Sequence, residues 1–125
     1  MNTLTPRQLG ELLLADTDGT YTAQAAVRLL VEHETWLHRP DFVTACVNYD
    51  HHGQPVAWVD WPAVPAFADR APCSTSEAAV LRLAAELAGM ATHRPLDELL
   101  TGYDDHNARI VLAALTHVLT RGGER

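Results

Sequence analysis

Histidine and cysteine are the side chains of this sequence with the most chemistry open to them, seven of the first and two of the second. Cys46, His51 and His52 lie close together, and Cys73 could join them from further along the chain. A structural zinc takes four nitrogen or sulfur donors arranged tetrahedrally, so these four residues are the candidate metal ligands. Neither a C-x-x-C pair nor H-E-x-x-H supports them, and an exposed polar loop around Asp50-His51-His52 is the simpler account. Glu34 and His38 stand four apart and could both reach one ion from a helix face, but two ligands do not complete a site. Asp16-Thr17-Asp18-Gly19 alternates carboxylates as a hard cation prefers. It lacks the rest of a calcium loop, above all the bidentate glutamate, and reads as a turn.

A nucleophilic mechanism requires Ser, Cys or Thr beside a histidine and an orienting acid. Ser74 and Ser76 read instead as helix-capping groups, and neither cysteine has a recognisable flanking signature. His117, on the most apolar helix, reads as a hydrogen-bonded core or interface histidine. G-x-G-x-x-G and G-x-x-x-x-G-K-[ST] are both missing, and the sequence contains no lysine, so lysine Schiff bases and lysine phosphate grips are excluded. No catalytic residue and no cofactor is expected. Among the aromatics, Trp58 and Trp61 flank Val59-Asp60, with Tyr49 upstream and Phe67 downstream. Tyr49, Trp58 and Trp61 are therefore the candidate partner-binding residues, because such rings bring contact area and a polar handle. Core packing is their ordinary alternative.

The elements that must position these groups are mostly helical. Thr5-Pro6 starts a helix that Leu9, Leu12 and Leu13 stripe, ending near Ala15. A second helix begins at Thr20 or Thr22 and runs to about His38, with Ala26, Leu29, Leu30, His33 and Leu37 inward. Pro40 halts it and opens either a short helix over 41–47 or a strand. Asn48 to Pro55 reads as loop, and Val56 to Asp60 as extended chain; if 44–49 is extended too, the two form a hairpin, marginal unless it packs on helices. Asp60 can cap a helix over 61–68. Ser74-Thr75-Ser76-Glu77 is a capping box and predicts a helix to Ala88 or Gly89. A short helix over 96–100 follows, then one from Asp105, capped by Asp104, to about Arg121, whose middle is apolar nearly all round. The fold class expected is mainly α: a compact bundle of about five to six helices, with one short strand or hairpin around 44–60, in a single domain over 1–125 whose tail frays from about 122.

Length and composition bound the rest. With 125 residues, 47% of them hydrophobic, the chain can bury a core of its own. Nine arginines against 16 acids give a net charge of −7, which argues against nonspecific nucleic-acid binding, a process that depends on clustered cations. The longest apolar stretch, Ile110 to Leu119, is broken by Thr116 and His117 and falls short of the ~20 residues of a membrane span. With no export signal in view, a cytoplasmic location follows.

The run Ser74 to Leu87, the turn Val59-Asp60-Trp61-Pro62 and the run from Leu99-Leu100-Thr101-Gly102 to Asn107 together resemble small uncharacterised helical proteins of high-GC, actinomycete-type bacteria. The resemblance implies no activity and carries over no site residue. The function expected from the residues is a non-enzymatic helical interaction or regulatory module, self-associating as a homodimer through the 105–121 helix, or engaging another protein. The rivals are a DNA-associated regulator using the first two helices as a helix-turn-helix pair, and a small metal-binding protein built on Cys46, His51 and His52.

Overall fold

A computed structural model describes residues 4–17 and 20–121. Its elements, in chain order, are α1 (Pro6–Asp16), α2 (Tyr21–His33), a 3-10 turn (Trp36–His38), α3 (Pro40–Cys46), β1 (Val47–Asp50) and β2 (Val56–Val59). A second 3-10 turn (Trp61–Ala63), α4 (Val64–Arg70), α5 (Thr75–Leu87), α6 (Leu96–Leu99) and α7 (Asp105–Arg121) complete them. The mainly helical class with one antiparallel hairpin is as expected from the sequence. The described residues form seven α-helices against the five to six expected, the stretch Pro40–Cys46 being helix and not strand.

α2 is the axis of the fold. Ala25, Ala26, Val27, Leu29 and Leu30 are all buried, so the helix is apolar over most of its circumference and can be enclosed by α1, α5 and α7. α1 meets it closely at Gly10, where a Cβ would stand 3.1 Å from a Val31 methyl. α1 also covers β2. Local chemistry fixes the helix starts. Thr5 and Gln8 satisfy each other's backbone amides in a capping box, as do Ser74 and Glu77, and Asp104 accepts from the Asn107 amide.

Three elements differ from those expected of the sequence. α2 stops at His33 and does not reach His38: Glu34 turns to φ 68°, ψ −34°, the Thr35 amide donates to the His33 carbonyl at 2.8 Å, and a 3-10 turn follows. That turn lets Trp36 enter the core between Phe42 and Phe67, with ring centroids 5.7 and 5.8 Å away and those two rings 5.6 Å apart. Backbone strain of ~1–3 kcal/mol is offset by full burial of an indole and its ring contacts.

The second difference falls in 41–59, where helix and strand both occur. α3 ends at Cys46, and the next residue begins β1, so Asn48, Tyr49 and Asp50 are strand and not loop. β1 pairs with β2 as Val47 with Val59, Asn48 with Trp58, Tyr49 with Ala57 and Asp50 with Val56. The β-branched Val47, Val56 and Val59 favour the pleat, and α1 supplies the helical surface such a hairpin requires. Third, the stretch 61–68 is split into a 3-10 turn and α4, and Asp60 makes no side-chain cap. The expectation of a frayed tail from 122 lies outside the described residues, as do Asp18 and Gly19 of the supposed calcium-like turn.

Candidate functional site

α7 carries two apolar stripes at helical spacing. Asn107, Ile110, Val111 and Ala114 are buried against the domain. A second row, Ala108, Leu112, Leu115 and Leu119, recurs at steps of four, three and four, the spacing of a two-heptad coiled-coil seam, with Leu115 at its border packed against the core. Leu115 is half-buried, whereas Leu112 is 65% and Leu119 77% exposed. Sequence reasoning saw the helix as apolar all round. Only the packing separates the covered stripe from the uncovered one.

The base of this helix is anchored by a polar junction. The Asn107 amide nitrogen donates to Ser76 Oγ at 2.7 Å, tying the start of α7 to the first turn of α5. His33, at the end of α2, reaches the same place: burial lowers its proton affinity, the charges of Glu77 and Asp104 act to raise it, and His106 opposes them. Its Nδ1 and the Asn107 Oδ1 are buried without hydrogen-bond partners. Helical spacing places His33 on the inward stripe of α2, where it is buried, but a lone His and a lone Asn carry no signal that the two share a junction. Further along α7, half-buried His117 donates from Nε2 to Gln24 Oε1 at 3.1 Å and meets the Tyr21 ring edge-on, in line with a hydrogen-bonded histidine in the packing.

The four candidate metal ligands are not brought together. Cys46, the last residue of α3, is buried in the core, and burial pushes its thiol up to about 11; burial also raises Cys73, whose charged neighbours are Glu77, Arg39 and Arg82. His51 and His52 lie exposed at the hairpin turn. The first accepts or donates through Nδ1 to the Tyr49 hydroxyl, and the second engages Asp50, which holds that carboxyl below its ordinary value. Among the described residues, no three His, Cys, Asp or Glu side chains gather as a metal ion requires. Glu34 and His38 meet across a turn through the Glu34 backbone carbonyl and His38 Nδ1, and not as two side chains on the helix face expected.

The three candidate partner-binding aromatics do not share a face. Strand alternation turns Trp58 outward with Asn48, leaving it 39% exposed, while Tyr49 turns inward beside Ala57. Trp61 is packed half-buried against the core. The outer hairpin face therefore offers only Val56 and Trp58 as large apolar groups.

No protein family, curated protein or solved structure matches this chain. Among the described residues, no helix is long and apolar enough to cross a membrane.

Proposed function

We propose that the protein is a non-enzymatic helical interaction module that pairs with a second copy of itself through the outer stripe of α7. The observation that carries this reading is the exposure of Leu112 and Leu119, one heptad apart on a helix whose opposite side is already in the core. Leaving both in water forfeits ~1.5–3 kcal/mol of burial for each, and a like helix presenting the same seam covers them symmetrically. The seam from Ala108 to Leu119 is about 17 Å long at ~1.5 Å per residue, so the contact is small and the association weak and concentration-dependent.

The helix-turn-helix alternative has less support. α2 would have to lie in a DNA groove, but it gives most of its surface to its neighbours and leaves Thr22, Arg28 and Glu32 exposed. Arg28, its one arginine, already faces Glu32. Two free cysteines fit a reducing cytoplasm, where we place the module.

Sedimentation velocity over a wide concentration range tests the proposal. The wild type is expected to move from monomer toward dimer, and a Leu112→Glu/Leu119→Glu variant to stay monomeric with unchanged circular dichroism. A wild type that remains monomeric at the highest soluble concentration, or a dimer indifferent to these substitutions, overturns it.

A further inference from the structure

A cavity of about 300 Å³ lies between the first turn of α1 and the turn that ends α2, lined by Pro6, Arg7, Val31, Glu34, Leu37 and His38, with Thr5 at its edge. The volume sits at the lower end of the range for small-molecule sites, ~300–1,000 Å³. Its floor is apolar, from Pro6, Val31 and Leu37. Its polar groups face each other, Glu34 and His38 on the turn and Thr5 and Arg7 at the start of α1.

That turn presents a carboxylate. His38 Nδ1 donates to the Glu34 carbonyl oxygen at 2.8 Å, because a carbonyl can only accept, and this bond holds the ring at the cavity wall. The Glu34 carboxylate is an acceptor, and no basic side chain among the described residues forms an ion pair with it. Arg7, on the opposite wall, lies 3.7 Å from Glu11 and has a side chain 92% exposed, so water screens its charge and the side chain can swing away from the cavity. Glu34 also occupies backbone space that favours glycine, at φ 68°. The break that seats Trp36 in the core is what holds Glu34 in this conformation at the cavity wall.

We propose that this cavity binds a small primary amine carrying an apolar body, such as an aromatic ring on a short arm. The ammonium donates to the Glu34 carboxylate, and the body rests on Pro6, Val31 and Leu37. A carboxylic acid meets repulsion from Glu34 and must draw Arg7 from Glu11. A transition metal finds two protein donors where it prefers four.

The test is a titration of the full chain followed by amide NMR, with 2-phenylethylamine, 2-phenylethanol and 3-phenylpropanoate as probes and zinc ion in a separate arm. The amine is expected to saturate with shifts at Val31, Glu34, Leu37 and His38, and to bind at least tenfold more tightly than the alcohol or the acid. Glu34→Gln should weaken the amine about tenfold, the cost of ~1.4 kcal/mol in a charge-assisted contact, with unchanged circular dichroism. Glu34→Gly should raise the melting temperature and abolish binding, which separates the ligand role of the carboxylate from any structural one. Equal binding of the alcohol, tighter binding of the acid, zinc shifting these amides while the amine does not, or an unaltered Glu34→Gln affinity would each overturn the proposal.

Discussion

The indole Nε1–H of Trp36 donates to the backbone carbonyl of Glu77 at 3.2 Å, joining residues 41 apart in the chain. Trp36 follows the broken end of α2, and Glu77 belongs to the capping box that starts α5, so one side chain ties a helix end to a helix beginning. The bond explains how the break is tolerated. The carbonyl also lies in the first turn of α5, so it is not orphaned when the indole is removed.

Trp36→Phe should accordingly cost about 1 kcal/mol for the hydrogen bond plus a smaller packing loss. Trp36→Ala should cost ~3–5 kcal/mol, a large share of the ~5–15 kcal/mol that stabilises a typical domain. Urea denaturation measures both. If the phenylalanine variant proves as damaging as alanine, the ring contacts with Phe42 and Phe67 do not carry the burial assigned to them.

Ser74→Ala removes the hydroxyl that accepts from the Glu77 amide and should destabilise the protein by ~0.5–2 kcal/mol. Ser74→Asp restores an acceptor at the cap and should recover most of the loss. Thermal melts of the three proteins decide it, and alanine matching wild type would show that α5 is held by packing alone.

His33 makes stability depend on pH. Burial lowers its folded pKa below the ordinary 6.5, so the unfolded chain takes up the proton first. The contribution is complete above about pH 6.5 and declines as pH falls from there through the folded value. Between about pH 7.5 and about pH 5.5, where histidines titrate, wild type should lose more stability than His33→Leu, as read from urea midpoints. Parallel losses would remove His33 from the account. The groups that bear on it are Glu77 on α5, Asp104 just before α7 and His106 on α7 itself.

The two thiols should differ in reactivity. Cys73 is half-buried while Cys46 is enclosed and pushed up to about 11, and the thiolate is the reactive form. Ellman's reagent at neutral pH should therefore modify Cys73 slowly and Cys46 only after unfolding. Rapid modification of both in the native protein would mean that the core around α3 opens readily.

Much of the helical framework was legible in the residues because it rests on local chemistry. Thr5-Pro6, Ser74-x-x-Glu77 and Asp104 mark helix starts within three residues of the groups they satisfy, and the leucine spacing of α1 and α5 marks their inner faces. The end of α2 was not legible. Residues 34–38 continue the helical spacing, and only the demand of Trp36 for a place beside Phe42 and Phe67 forces the break. The same break, unseen in the sequence, places Glu34 and His38 on the wall of a cavity.

The sequence by itself determined the class of fold, the starts of its principal helices and the absence of lysine chemistry, since each depends on residue type or on neighbours along the chain. Tertiary packing decided the fate of individual side chains. It buried Cys46 away from His51 and His52, turned Trp58 and Tyr49 to opposite faces of a hairpin, and covered one stripe of α7 while leaving Leu112 and Leu119 in water. Residue spacing says which side chains share a face, but burial depends on which other element, distant in the chain, comes to lie against it.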